Sequence, residues 1–248
     1  MKWLGDYSRK HPYPLMFVTV SGAHLYGFES PDSDYDLRGC HITPVRQLVQ
    51  MSPPSETHEV MDRTLPIEMD LVTHDIKKFF TLLLKHNGYV LEQAASPLVV
   101  VDSPEFAELR ELIPGVITRH HRHHFLRFGQ NQWQEVVKSG RPTVKGLLYT
   151  YRVLLAGIHL MRTGKVESNL RRLNEIFKLN HINDLIAAKI AGEEKQELKE
   201  SLDWHENEFN RLCAMLEDAH DHSQLPEEPT NRAAFNDLLI RSRMRHLN

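Results

Sequence analysis

Cysteine is scarce in this chain, with two residues, Cys40 and Cys213, among 248. They are far apart and lack the spacing of metal-binding pairs, which argues against a disulfide framework and favours a reducing compartment. Long apolar runs are also missing. No stretch approaches the roughly 18 residues that span a membrane, and residues 1–6 lack the apolar core of a signal peptide. We therefore expect a cytoplasmic protein that does not cross a membrane.

A strong charge of one sign is absent as well. The formal net charge is −3 with histidine neutral, so no strong positive field attracts nucleic acid to the surface as a whole. A local basic patch is still compatible with this net charge. The chain has no Walker-type loop, no dinucleotide-binding fingerprint, no internal repeat and no low-complexity segment. With 248 residues and 41% hydrophobic content, it is long enough to bury a core as one large or two small domains.

Apolar and β-branched runs predict strands in the first hundred residues. The predicted strands cover 14–21, 34–42, 57–63, 66–73 and 98–101. Helical spacing of apolar residues predicts helices at 76–86 and 89–95, and then near 115–138, 143–163, 167–178, 181–191, 193–220 and 230–246. The predicted fold class is α+β, with a small mixed β-sheet domain over residues 1–103 and a C-terminal helical bundle over residues 104–248.

Asp34 and Asp36 are the first candidate site residues. Side chains two apart on a strand point to the same face, and two neighbouring carboxylates repel each other unless a cation lies between them. Mg²⁺ prefers such hard oxygen ligands. On the strand predicted at 66–73, Glu68 and Asp70 share a face, and either residue completes a set of three if the two strands are neighbours. The alternative is that Asp34 and Asp36 are ordinary polar residues of a turn and a strand edge.

Gly22 ends the first predicted strand and opens a short helix. A glycine allows the backbone to approach a ligand closely, and N–H groups at a helix start can bind phosphate. The glycine turn, the loop rich in Gly, Ser, Pro and Asp at 27–33, and the acidic strand together predict a phosphate site that faces a metal site.

The order of a strand, a Gly-[Ser/Gly] pair, a spacer, an Asp-x-Asp and a later acidic strand resembles the DNA polymerase β nucleotidyltransferase superfamily. The sequence is similar, more specifically, to the predicted nucleotidyltransferases of a bacterial RNA-repair pathway in the DNA polymerase β family. The matching strings are Gly-Ala-His-Leu-Tyr-Gly at 22–27, Pro-Asp-Ser-Asp-Tyr-Asp-Leu-Arg-Gly at 31–39, Asn-Gly-Tyr-Val-Leu-Glu at 87–92 and Lys-Gly-Leu-Leu-Tyr-Thr-Tyr-Arg at 145–152.

The resemblance implies metal-dependent transfer of a nucleoside monophosphate from an NTP, expected to be ATP, to an acceptor hydroxyl at an RNA end. It places the catalytic metal ligands at Asp34, Asp36 and Asp70, with Glu68 as the alternative third ligand. The expected metal is Mg²⁺, with Mn²⁺ as an alternative. The helical domain is expected to close over the nucleotide and the acceptor.

Ala23 departs from the family pattern. The family's Gly-Ser phosphate contact falls on Gly22 and Ala23, and Ala23 has no hydroxyl to offer, although the backbone N–H groups remain. Because of this departure, one alternative remains that the chain is a catalytically weak nucleotide-binding regulator. A second alternative concerns the acceptor. Some members of the superfamily adenylylate proteins, so the acceptor could be a protein hydroxyl instead of an RNA end.

Other residues are candidates for nucleotide binding. The full set is Gly22, Ala23, His24, Tyr26, Arg38, Lys145, Tyr149 and Arg152. The last three lie at i, i+4 and i+7 on one helix face, where they either contact phosphate and base or form a solvated face or an ion pair. For His24 and Tyr26 the alternative is loop packing, and for Arg38 it is a salt bridge with Asp36.

Residues 119–124 read Arg-His-His-Arg-His-His. His120 and His124 share a helix face, which suits zinc, but no Cys or carboxylate nearby completes a structural set. The alternatives are a titratable basic face for an RNA backbone, including Arg127, and an ordinary polar helix surface.

Overall fold

The computed structural model describes residues 2–31, 33–62, 69–138, 143–192 and 201–247. The chain forms two compact units, each of which is discontinuous in sequence. The first unit combines Met1–Leu25, Asp34–Ile117 and Glu228–Asn248, and the second combines Tyr26–Ser33 and Thr118–Glu227.

A five-stranded sheet forms the centre of the first unit. Its strands are β1 (Leu15–Val20), β2 (Tyr35–His41), β3 (Thr57–Asp62), β4 (Met69–Asp75) and β5 (Val99–Val101). Their order is β3-β4-β2-β1-β5, with β2 and β4 parallel and the other neighbours antiparallel. The strand predicted at 66–73 is described from Met69 and continues to Asp75. Residues 66–68 of the predicted strand lie outside the described residues.

Apolar layers cover both faces of the sheet. On one face, Leu4 of α1 (Lys2–Ser8) lies in a cluster with Val18, Val20, Leu37, Met69 and Leu71. On the other face, Phe17 stacks on Phe106 with ring centroids 4.1 Å apart, and it contacts Phe79 edge-on at 5.2 Å. The sequence did not predict α1, because seven residues that include Gly5 show little apolar periodicity.

Five further α-helices of the described residues belong wholly to the first unit. They are α3 (Val45–Leu48), α4 (Ile76–Leu84), α5 (Gly88–Ala95), α6 (Pro104–Leu112) and α12 (Arg232–Arg245), while the short α2 (Gly22–Tyr26) follows β1. Side-chain caps set the starts of three of them, because Asp75, Asn87 and Ser103 accept hydrogen bonds from first-turn N–H groups of α4, α5 and α6.

The last helix, α12, is anchored where β4 ends and α4 begins. Asp75 is 2% exposed, and its carboxylate accepts hydrogen bonds from Arg243 Nη2 at 2.5 Å and from the Lys77 N–H at 3.0 Å. Backbone hydrogen bonds from Val45 N to His246 O and from Arg46 N to Leu247 O fix the end of the chain. Residues distant in sequence therefore complete the first unit.

The second unit is helical. Its helices in the described part of the chain are α7 (His121–Lys138), α8 (Val144–Thr163), α9 (Leu170–Phe177), α10 (Asn180–Ile190) and α11 (Leu202–Asp221). The mostly buried α8 packs against the other four. The segment 26–33 is attached to these helices, because Gly27 O accepts from Arg171 Nε at 2.6 Å and Ser30 Oγ accepts from Lys189 Nζ at 3.0 Å.

The α+β class is confirmed. The domain boundary predicted between residues 103 and 104 falls inside the first unit, because α6 packs against β1, α5 and α12. Among the described residues, no helix combines the length and the apolar character needed to cross a membrane.

Candidate active site

Two acidic residues lie side by side on β2 and β4. Asp36 is the register partner of Asp70 in the parallel ladder, and both side chains are partly exposed, at 32% and 29%. The alternation along β4 buries Met69 and Leu71 and places Asp70 on the opposite face. The sequence-based condition that the two acidic strands be neighbours is therefore met.

Arg38 joins the two carboxylates. Its Nη2 donates to Asp36 Oδ1 at 2.9 Å and to Asp70 Oδ2 at 2.7 Å. Its Nη1 donates to two backbone carbonyls, Leu37 O at 2.9 Å and Asp70 O at 2.8 Å, and its Nε donates to the Tyr89 hydroxyl at 2.7 Å. All five N–H donors of the guanidinium thus have protein acceptors. The sequence left two roles for Arg38, nucleotide binding or a salt bridge with Asp36, and the structure contains the salt bridge.

Tyr89 is a site residue that the sequence did not single out. It lies in the first turn of α5, where Asn87 Oδ1 accepts from the N–H groups of Tyr89 and Val90. Burial lowers the pKa of Arg38, but Tyr89, Asp36 and Asp70 outweigh burial, so the pKa is raised from its ordinary value. The Asn-Gly pair at 87–88 predicts a helix boundary but not this long-range contact.

Gly22 lies against Asp36. Its φ is +60°, in the left-handed region, and a Cβ at this position would be 1.9 Å from Asp36 Oδ2. A glycine is required here on both counts. Ala23 and His24 follow in α2, and the His24 ring stacks on Tyr35 of β2 with centroids 4.3 Å apart.

The donor set fits a divalent cation in part. Asp36 and Asp70 converge on one positive group, as carboxylate ligands of Mg²⁺ do. Asp34 is exposed just before β2, and within the described ranges no three His, Cys, Asp or Glu side chains form a group that could hold a metal. Glu68 lies outside the described residues. The three-ligand set Asp34, Asp36 and Asp70 therefore stays a prediction.

The remaining nucleotide-binding candidates lie in the second unit. The Arg152 guanidinium carbon is 3.8 Å from the Tyr26 ring centroid, and Arg152 is 3% exposed. Tyr149 contacts Tyr26 edge-on at 5.6 Å and Phe28 at 5.4 Å. Lys145 is exposed at the start of α8. The structure thus brings Tyr26, Tyr149 and Arg152 together, with Arg152 inside a cation–π contact.

The histidine-rich segment does not form a uniform basic face. Burial, and then the charge of Arg152, lower the pKa of His124 to about 4, so this ring is neutral near pH 7. His121 is buried, and its Nδ1 lies 3.2 Å from Thr118 O. Arg122 is paired with Glu217 at 3.1 Å. Exposed His123 and Arg127 are the members that keep a solvent-facing position.

The model of the family RlaP, RNA repair pathway DNA polymerase beta family, matches residues 1–241, and this chain belongs to that family.

Two individual proteins are similar to the chain. The uncharacterized protein YcgL of Bacillus subtilis (strain 168) is 22% identical over 144 residues, which cover 57% of this chain and 54% of YcgL. The chain thus matches about half the length of that relative. A nucleotidyltransferase-like protein of Exiguobacterium sibiricum 255-15, known from a crystal structure, aligns with 98% of this chain and 80% of its own, at 10% identity and a TM-score of 0.34.

Proposed function

We propose that this chain transfers a nucleoside monophosphate from an NTP, with ATP as the expected donor, to an acceptor hydroxyl at an RNA end, and that pyrophosphate is the leaving group. Membership of the RNA-repair family supports nucleotidyl transfer. The observation that carries the proposal is the convergence of Asp36 and Asp70, from neighbouring parallel strands, on one cationic group beside Gly22.

In this proposal Asp36 and Asp70 hold Mg²⁺ or Mn²⁺, and Asp34 is the third ligand. A bound divalent cation would neutralise charge at the reacting phosphate and activate the attacking hydroxyl. The β2–β4 ladder fixes the separation of Asp36 and Asp70 along neighbouring strands. Little reorganisation of the protein is then needed as charge develops on the phosphate.

The nucleotide-binding role of the other predicted residues is part of the proposal. Lys145 is exposed on α8, so its ammonium is accessible to a phosphate. Arg38 and Arg152 are already engaged within their own units, by the acidic pair and by Tyr26. The nucleotide contacts of Lys145, Arg38 and Arg152 stay predictions.

A transfer assay tests the proposal directly. The chain would be incubated with each labelled NTP, with RNA and DNA oligonucleotides, and with Mg²⁺, Mn²⁺ or EDTA. We expect label on RNA only when metal is present. Asp36→Asn and Asp70→Asn should each lower the rate at least about 100-fold, because each removes a charged ligand at the reacting phosphate. The control is Asp203→Asn, an exposed acid in the first turn of α11.

Three results would contradict the proposal. If the two asparagine variants keep the wild-type rate, the acidic pair is not catalytic. If label appears on a protein instead of RNA, the acceptor is a protein hydroxyl. If NTP binds without transfer to any acceptor, the chain is a nucleotide-binding regulator.

A further inference from the structure

One nitrogen atom of Arg38 lies between the two acidic side chains. Nη2 is 2.9 Å from Asp36 Oδ1 and 2.7 Å from Asp70 Oδ2. A Mg²⁺ ion bound by both residues would need their oxygens at about 2.1 Å. The guanidinium and a divalent cation therefore compete for the same acidic pair.

The other two nitrogen atoms of the guanidinium donate to groups that are not carboxylates. Nη1 donates to the backbone carbonyls of Leu37 and Asp70, and Nε donates to the Tyr89 hydroxyl. The Arg38 side chain is 11% exposed. Because these three contacts do not involve the carboxylates, Nη2 can release a carboxylate oxygen while the side chain stays anchored.

We propose that Arg38 is a positioning residue that acts as an internal cation. It neutralises the acidic pair before metal binds, and Nη2 gives up at least one carboxylate oxygen when metal binds. This inference rests on the proposed function, because it concerns the metal of that site. The resident positive charge lowers the affinity of the acidic pair for a divalent cation, and Tyr89 strengthens the hold of Arg38 on the pair.

Binding of Mn²⁺ without any nucleotide tests this role separately from catalysis. Free Mn²⁺ would be measured by electron paramagnetic resonance, and melting temperatures would be recorded with and without Mn²⁺. Arg38→Gln removes the charge, so we expect the Kd for Mn²⁺ to fall at least about tenfold. Without metal this variant should melt at a lower temperature than the wild type, and Mn²⁺ should raise its melting temperature by a larger amount.

Two further variants make the test specific. Arg38→Lys retains the charge, so its Kd for Mn²⁺ should stay within about threefold of the wild-type value. Tyr89→Phe removes the acceptor of Nε and keeps the ring, so the Kd should fall by about threefold. Tyr89→Phe also provides the answer if Arg38→Gln does not fold.

The outcomes separate this inference from the proposed function. If Arg38→Gln binds Mn²⁺ as the wild type does, or more weakly, the competition is absent and the inference is wrong, while the metal site stands. An unchanged Kd in Tyr89→Phe contradicts the role of Tyr89. The inference and the proposed metal site fail together in two cases. Either the wild type does not bind Mn²⁺, or Asp70→Asn binds Mn²⁺ as tightly as the wild type does.

Discussion

Gly22 shows how closely single residues are packed at the acidic pair. An added Cβ would lie 1.9 Å from Asp36 Oδ2, and the backbone is left-handed with φ at +60°. We expect Gly22→Ala to lower the free energy of unfolding by at least about 1–2 kcal/mol, because the methyl group is opposed by both the conformation and the clash. Asp36 must also move, so the proposed nucleotidyl transfer should be lost.

Gly192 provides a matched control for that change. Its φ is +75°, but no atom of the described residues lies within 4 Å of an added Cβ. Gly192→Ala should therefore show the conformational cost alone, and transfer should be unaffected. Urea unfolding and the transfer assay measure the two effects. Equal losses of stability in the two variants, with activity kept in both, would contradict the close approach of Gly22 to Asp36.

A pair of histidines makes stability depend on pH. His11 Nε2 and His41 Nδ1 lie 2.8 and 2.9 Å from Thr73 Oγ1, and burial lowers the pKa of His11 to about 4 and of His41 to about 3. Between these values and about 6.5, the unfolded chain binds more protons than the folded chain. The free energy of unfolding should therefore fall as pH is lowered from 6.5 to 4.

Melting temperatures at several pH values between 7.5 and 4 check this expectation. His41→Gln should make the decrease in melting temperature with falling pH smaller, because one buried titrating group is removed. His246→Gln is the control, since this residue lies outside the Thr73 cluster. An identical pH slope in wild type and His41→Gln would show that His41 titrates normally in the folded chain.

The sequence predicted those parts of the candidate site that depend on the spacing of residues within one strand. Asp36 and Asp70 could be paired because each lies on a recognisable strand, and the bond between Arg38 and Asp36 joins residues two apart. The bond between Arg38 and Tyr89 joins residues 51 apart in the sequence, and it depends on how α5 packs on the sheet. No local pattern carries that information.

Among the secondary-structure elements, α12 depends on a buried ion pair. Asp75 is 2% exposed and Arg243 is its partner at 2.5 Å. Desolvation raises the pKa of Asp75, but the hydrogen bond and charge of Arg243 outweigh it, so the pKa lies below its usual value. Arg243→Met should lower the free energy of unfolding by about 3–5 kcal/mol, because it leaves a buried carboxylate without its partner.

The same helix supplies a control for the ion pair. Arg241 is 40% exposed and pairs with Glu108 and Asp237, so Arg241→Met should change stability little. Urea unfolding compares the two variants. The double variant Asp75→Asn with Arg243→Met should recover part of the loss. Similar unfolding free energies for Arg241→Met and Arg243→Met would show that the Asp75 pair is not a special anchor.

The elements themselves were predicted well where periodicity is strong. The strands near 14–21, 34–42 and 57–63 appear as β1, β2 and β3 within one or two residues. Helix α12 was expected from its apolar spacing. Its attachment to the end of β4 was not expected, because that contact joins residues 168 apart.

For the whole molecule, the first unit needs residues from beyond the predicted boundary. Phe106 of α6 stacks on Phe17, and Phe235 of α12 contacts Phe80, with both added rings almost fully buried. A fragment of residues 1–103 should therefore fail to fold cooperatively, because each missing phenylalanine costs about 3–5 kcal/mol. Circular dichroism during heating measures this.

The full chain is the reference for that experiment. The fragment should show no sigmoidal melting transition under conditions where the full chain has one. A cooperative transition in the fragment would mean that α6 and α12 are dispensable, and that the boundary between residues 103 and 104 separates independently folding parts. The sequence placed that boundary where strands give way to helices, and a change of periodicity does not show which layer a helix joins.

The parallel pairing of β2 with β4 has a consequence for how the chain tolerates insertions and deletions. Parallel neighbours are joined by a crossover, which here includes α3 and β3, so extra residues in the loop between α3 and β3 leave Asp36 opposite Asp70. A single residue gained or lost inside either strand instead turns the following side chains to the opposite face. Length variants are therefore expected in the loop between α3 and β3, and not within the seven residues of β2 or of β4.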